Sequence, residues 1–294
     1  MMDTKYKLTL SQREGQVITV RMFGPLSVRV AERVLGPRDL GGVKPRRVLE
    51  LLLVSNRAVT KDELIDDLWG DKPPRDPIAT LEAYVSVLRS SLQPGVHRDD
   101  SLIATEPGAY RLVRDRAFID ADRFDEVIRS LPSLTGDERR AALNEACVLA
   151  DGPLLQDERY AEWVQGPRRH YDRLRLEVHV AAAEANLADG DAALALDCAE
   201  KAMLVDRTCE PAYHAAMRAA GLLGRRDMIL GFFTQCERVL NADLGVPPMA
   251  ATSALRDQLI DEGRVVGAGV GLSTWSPASE RPSVDAIWPL SRFQ

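Results

Sequence analysis

Carboxylates, thiols and cationic side chains are the groups here with chemistry beyond packing, and their spacing sorts them. The acidic pairs Asp157-Glu158 and Asp261-Glu262 are sequence neighbours. Adjacent residues diverge on a helix, so they build no acid–base pair. No Ser/His/Asp arrangement and no metal-ligand spacing occurs, which argues against an enzyme. The four cysteines (Cys147, Cys198, Cys209, Cys236) lack CxxC spacing and the four histidines are scattered. They read as buried thiols of a reducing compartment, and neither metal nor cofactor is expected. What remains is a helix over residues 77–92. Its Leu81, Val85, Leu88 and Leu92 recur at steps of four and three and form one stripe. The opposite side holds Ala79, Ala83, Ser86, Val87 and Ser90. A small, uncharged face suits close approach to base edges in a major groove. An ordinary core-facing helix carries the same stripe, so its neighbours decide between the two readings.

Those neighbours form a set. VITVRMF and PLSVRVA, separated by Gly24-Pro25, alternate and are rich in Val and Ile, as half-buried strands are. After Gly41-Gly42 a helix begins, with Pro45 in its first turn and Val48, Leu49, Leu51, Leu52 and Leu53 on its buried side. A second helix opens on a capping box, Thr60 with Glu63. Leu64, Ile65, Leu68 and Trp69 form its apolar face, Trp69 as a packing anchor. Gly70 stops it, and two prolines keep residues 70–75 from being helical. Asp76-Pro77 restarts the chain as N-cap and first-turn proline. Beyond a loop at 93–100, Leu102–Thr105 and Tyr110–Val113 flank Pro107-Gly108, the central pair of a type II turn. Strands, three helices and a terminal hairpin make residues 17–116 an α+β winged helix-turn-helix.

Residues 117–264 are nearly all helical in pattern, in segments near 120–131, 137–150, 158–188, 191–205, 211–223, 226–241 and 250–262. Gly190-Asp191 and Gly224-Arg225 lie 34 residues apart, each closing one helix and opening another. That period suggests an all-α tetratricopeptide-like helical domain. Residues 1–16 and 265–294 read as a disordered extension and tail, the latter with Trp275, Trp288 and Phe293 as stray aromatics or a short docking motif. The formal net charge is −6 over 294 residues, unlike a uniformly basic nucleic-acid binder. Residues 20–116 nonetheless carry 16 basic against 14 acidic side chains, and residues 117–264 carry 17 against 26. That distribution permits nucleic-acid contact by the first part and protein contact by the second. No run of 18 apolar residues and no signal-peptide core occurs, so no membrane contact and a cytoplasmic location are expected.

The chain resembles the Streptomyces antibiotic regulatory protein family of transcriptional activators over about residues 20–262. FGPLSV at 23–28, KPRRVLELLL at 44–53, TKDELIDDLWGDKPP at 60–74, TLEAYVSVLR at 80–89 and PGAYRL at 107–112 resemble its OmpR-type winged helix. DADRFDEVI at 120–128, LADGPLL at 149–155 and ADLGVPP at 242–248 resemble its bacterial transcriptional activation domain. The resemblance implies an activator that binds direct repeats in double-stranded promoter DNA, as one copy beside another, for a secondary-metabolite gene cluster such as an antibiotic's. It implies recruitment of RNA polymerase through its sigma and alpha subunits. By the same resemblance, Thr80, Ala83, Tyr84, Val87 and Arg89 face the major groove, Arg46 and Arg47 meet backbone phosphate, and Arg111 follows a wing that reaches a minor groove. Gly70, Asp71, Lys72, Pro73, Pro74, Arg75 and Asp76 match the loop that touches polymerase.

The bland alternatives are solvated surface charge for Arg46, Arg47 and Arg111, and core packing for Tyr84. Two departures separate the chain from the family pattern: Val87 and Ser90 stand where basic or polar residues are common. Fewer cations mean fewer neutralised phosphates and a flatter salt dependence, while Val87 remains able to pack on a thymine methyl. The competing functional reading is a protein- or effector-binding regulator whose DNA-binding domain is degenerate.

Overall fold

In the computed structural model, residues 18–267 are described, so the extension 1–16 and most of the tail lie outside them. By packing, the described chain divides into two units. The first comprises residues 18–125 together with Leu149–Asp172; the second comprises Glu126–Val148 with residues 173–267.

The first unit opens with β1 (Ile18–Arg21) and β2 (Ser27–Val30), whose alternation buries Ile18, Val20 and Val28. A short β3 (Arg33–Leu35) extends this sheet on one side. Helix α1 (Val43–Val54) follows, and it buries the five anticipated apolar residues. Strand β4 (Val59–Thr60) leads into α2 (Lys61–Trp69), where the Thr60–Glu63 box forms as its residue types require. Helix α3 (Pro77–Leu92) starts on the Asp76 cap, whose carboxylate accepts the Ala79 N–H at 3.0 Å. It buries the anticipated stripe of Leu81, Val85, Leu88 and Leu92. Strands β5 (Ile103–Glu106) and β6 (Ala109–Leu112) make the hairpin. Gly108 at its tip takes φ +69°, which a type II turn demands.

Strand β7 (Ala117–Ile119) then returns parallel to β1, giving the sheet order β3-β2-β1-β7, while β4-β6-β5 form a second sheet. Asp120, buried just after β7, accepts the N–H groups of Met22 and Phe23 at 2.7 and 3.0 Å. It thereby satisfies donors that β1 leaves open at its end. The helix expected from residue 158 begins only at 162. Residues 153–156 instead pair with 22–24: Gly24 N–H donates to Pro153 O at 2.9 Å and Leu155 N–H to Met22 O at 2.7 Å. Gly152 makes this approach possible, since a Cβ there would lie 3.0 Å from Gly24 N.

Helices α4 (Asp120–Ser130) and α6 (Glu162–Ala188) run across the division, with α5 (Gly136–Leu149) between them in sequence. The second unit continues with α7 (Ala192–Val205), α8 (Glu210–Leu222), α9 (Arg226–Leu244) and α10 (Ala250–Gly267). Successive helices pack on one another. Alanines such as Ala199, Ala212, Ala216 and Ala220 are fully buried and let the axes approach. Met217, Ala220, Ile229 and Phe233 form a core under Leu255 and Leu259. Gly190 and Gly224 both take positive φ where a helix ends, so the 34-residue spacing marks equivalent corners. The fold is thus a winged-helix region with strands, followed by a helical domain.

Candidate nucleic-acid interface

Helix α3 is held by its stripe against the rest of the first unit, which leaves Ala79, Ala83, Ser86, Val87 and Ser90 exposed, with Ile78 and Glu82 beside them. The only charge on this face is Glu82, and Lys61 Nζ of α2 pairs with it at 2.5 Å. The face is therefore small, weakly polar and electrically neutral.

The residues expected to carry binding are distributed unequally over this frame. Thr80 is half-buried, and its hydroxyl donates to Asp76 O at 2.6 Å. Ala83 is open to solvent. Tyr84 stacks on Trp69, centroids 6.0 Å apart and planes 27° from parallel, so the α2 and α3 aromatics pack together. Val87 remains 41 % exposed, yet its Cγ1 covers Gly41 ahead of α1, where a Cβ would sit only 2.7 Å away.

The arginines are engaged. Arg89 donates Nε and Nη2 to Ile103 O at 3.0 and 2.6 Å and Nη2 to Thr105 Oγ1 at 2.8 Å, tying α3 to the hairpin. Arg111 pairs with Glu106 at 2.5 Å across that hairpin. Arg46 pairs with Glu50 at 2.9 Å and Asp157 at 2.6 Å, and Arg47 with Glu158 at 2.8 Å. Arg46 and Arg47, expected at backbone phosphate, are thus both ion-paired at the start of α1. In the loop, Gly70 closes α2 at φ +53° and Lys72 N–H caps Trp69 O at 3.1 Å. Asp71, Lys72, Pro73 and Arg75 are exposed, Pro74 is half-buried, and Asp76 caps α3.

Three residues escaped the sequence reading. Lys61 neutralises the face, Arg98 donates to Thr105 Oγ1 at 3.2 Å from the loop after α3, and Glu50 lies fully buried within α1. Burial pushes the Glu50 carboxyl up to about 7 against the pull of Arg46, and the Glu158 charge adds to the rise. Its Oε2 and the Arg47 Nε are buried without a hydrogen-bond partner among the described residues. Glu50 was legible as the one charge inside an apolar run and as the i+4 neighbour of Arg46. Arg98 offered no such pattern.

Residues 119–260 match the bacterial transcriptional activator domain family, and residues 42–112 match the family described as transcriptional regulatory protein, C terminal. The transcriptional regulatory protein MoaR1 of Mycobacterium tuberculosis is 27% identical over 257 residues, covering 85% of this chain and 82% of that one. The regulatory protein AfsR of Streptomyces coelicolor is 30% identical over 249 residues, 77% of this chain but 24% of AfsR, so the chain spans about a quarter of that relative. Among solved structures, Mycobacterium tuberculosis EmbR in complex with a low-affinity phosphopeptide matches with a TM-score of 0.67 at 25% identity, over 86% of this chain and 70% of that one. Among the described residues no helix is long and apolar enough to cross a membrane.

Proposed function

We propose that this chain, which belongs to the Streptomyces antibiotic regulatory protein family of transcriptional regulators, is a cytoplasmic, sequence-specific activator that reads promoter direct repeats with α3. The observation that carries the reading is the way α3 is held. Its apolar stripe is packed away, its start is fixed by the Asp76 cap, and its small face is left open beside the β5–β6 hairpin. Ala83 and Val87 then meet thymine methyls, with Thr80 and Tyr84 at the margin. Arg89 and Arg111 supply charge beside the hairpin. Arg46 and Arg47, being paired to Asp157 and Glu158, serve the frame more than the phosphates. The exposed loop carrying Lys72 and Arg75 offers RNA polymerase sigma or alpha subunits a contact away from the α3 face. Family membership supports a secondary-metabolite cluster as the target and a second copy on the adjacent repeat.

The test is a gel shift with the full chain on the upstream regions of genes adjacent to its own, between about 50 and 200 mM salt, where phosphate-driven binding changes steeply. Discrete retardation of a particular region is expected. Ala83→Asp, which sets a carboxylate against base edges without disturbing the buried stripe, should weaken it at least about tenfold, the size of one lost base contact. Replacing Lys72 and Arg75 by alanine should leave retardation intact and lower run-off transcription; an equal fall in both would defeat the loop assignment. No retardation of any neighbouring region at low salt would sink the DNA reading. It would favour a protein- or effector-binding regulator, which the neutrality of the α3 face also suits.

A further inference from the structure

Two guanidinium groups converge at the C-terminal end of α3 with no carboxylate bonded to either. Arg89 and Arg98 both donate to the single hydroxyl of Thr105, at 2.8 and 3.2 Å. Neither has an ion-pair partner among the described residues, whereas Arg46, Arg47, Arg57, Arg111 and Arg114 are each paired. The nearest carboxylates in sequence are turned to other partners, Asp99 to His97 at 3.5 Å and Asp100 to Arg116 at 3.9 Å. Burial first, and the Arg98 charge next, hold the Arg89 guanidinium below its usual range. Between the two runs a half-open groove of about 90 Å³, lined also by Ser90, Gln93 and Ser101. Gln93 gives its carbonyl oxygen to the Leu102 N–H at 2.5 Å and keeps its amide donors.

We propose that this groove is a phosphate site, in which Arg89 and Arg98 clamp one anionic phosphate with Gln93 and Ser90 as neutral donors. An anion between two cations bonded only to neutral oxygens relieves their repulsion and accepts from the guanidinium N–H groups that Ile103 O and Thr105 Oγ1 leave free. The chemistry suits a DNA phosphodiester and free inorganic phosphate alike. Position favours DNA, because Ser90 belongs both to the groove and to the exposed face of α3. The clamp then fixes α3 on the backbone while that face meets bases, the usual division between positioning and reading contacts. This inference rests on the DNA-binding reading for the source of the phosphate, but not for the site itself.

The experiment has two arms, both with the full chain. In the first, fluorescence anisotropy on duplex DNA at several salt concentrations compares the wild type, Arg98→Gln and the control Arg57→Gln, whose guanidinium pairs with Glu63 away from the groove. Arg98→Gln should lower affinity severalfold and flatten the log–log salt slope by about 0.9, the value for one phosphate, with sequence preference unchanged. Arg57→Gln should match the wild type. In the second, inorganic phosphate is titrated while the arginine Nε–H resonances are followed, and saturable shifts at Arg89 and Arg98 that vanish in Arg98→Gln are expected. DNA binding by the wild type with an unchanged slope in Arg98→Gln overturns the clamp and leaves the DNA reading standing. Saturation by phosphate without any DNA binding keeps the site, overturns its assignment to DNA and defeats the DNA reading. Neither response overturns both.

Discussion

Glu50 sits in surroundings far from its preferences. Its side chain is fully buried in α1, bonded to Arg46, while Asp157 and Glu158 reach the neighbouring arginines from the segment before α6. A buried ion pair contributes little net stability, because desolvation offsets attraction, yet removing one partner leaves a costly charge. The folded carboxyl keeps its proton to about pH 7, whereas an ordinary glutamate releases it near 4.5. The folded state therefore holds the extra proton between those values, so this group makes stability fall as pH rises through the window. Glu50→Gln, which keeps shape and a hydrogen bond to Arg46, should flatten that fall and stabilise the first unit at pH 8. Trp69 and Trp163 both lie in that unit. Their emission in urea titrations, with Trp275 and Trp288 replaced by phenylalanine, reads the effect; an unchanged pH slope would show that Glu50 does not set it.

At the scale of elements, the seat of α3 depends on Gly41. Its φ of +84° disfavours any residue with a Cβ, and that Cβ would lie 2.7 Å from Val87 Cγ1 and 3.1 Å from Pro45 Cγ. Gly41→Ala should cost about 2–4 kcal/mol, combining a strained φ with overpacking. It should also push α3 off its seat and weaken DNA binding beyond the loss of folded protein. Adding Val87→Ala should restore the overpacking share and leave the φ share, which a double-mutant cycle by urea unfolding separates. No recovery at all would mean that the α1–α3 contact is not the cause. The local signals here were readable in advance: the Thr60–Glu63 box, the Gly70 stop, the Asp76-Pro77 start, the α3 stripe and the Pro107-Gly108 turn each depend on residues within a few positions. Strand β7 was not, because its identity rests on pairing with β1 a hundred residues earlier. Nor was the strand-like pairing of 153–156, which lies between two expected helices and buries Leu154 and Leu155 against residues more than a hundred positions earlier. The site divides the same way. Its exposed face followed from α3 periodicity alone, whereas the Asp157 and Glu158 partners of Arg46 and Arg47 and the Ile103 partner of Arg89 lie 14 to 111 positions away and depend on the folded approach.

Across the whole molecule, the two units carry opposite proton preferences. In the first, burial raises Glu50 to about 7 and Asp120 to about 6, so folding takes up protons as pH falls toward 5. In the second, His179 is almost fully buried, its Nδ1 has no partner among the described residues, and burial with the charges of Arg175 and Lys201 lowers it to about 3. His214, hydrogen-bonded to Thr252 at 2.7 Å, is lowered too, chiefly by burial. Unfolding there binds protons below the ordinary histidine value of 6.5, so the second unit loses stability as pH falls through that value. The strongly lowered carboxyl of Glu63, at about 2, titrates below this range. Asp67 in the first unit is also raised by burial, in the same direction as Glu50 and Asp120. Calorimetry of the full chain should show a first-unit transition that rises between pH 8 and pH 5 and a second-unit transition that falls over the same interval. Tryptophan emission from Trp69 and Trp163, in the chain with Trp275 and Trp288 replaced by phenylalanine, identifies which is which. His179→Leu, which fills the same space without a titrating ring, should hold the second transition nearly level. Two transitions moving together would mean that the halves unfold as one cooperative body, and the packing division would then carry no thermodynamic weight. Opposed movement would mean that acid loosens the helical half while it tightens the half that presents α3.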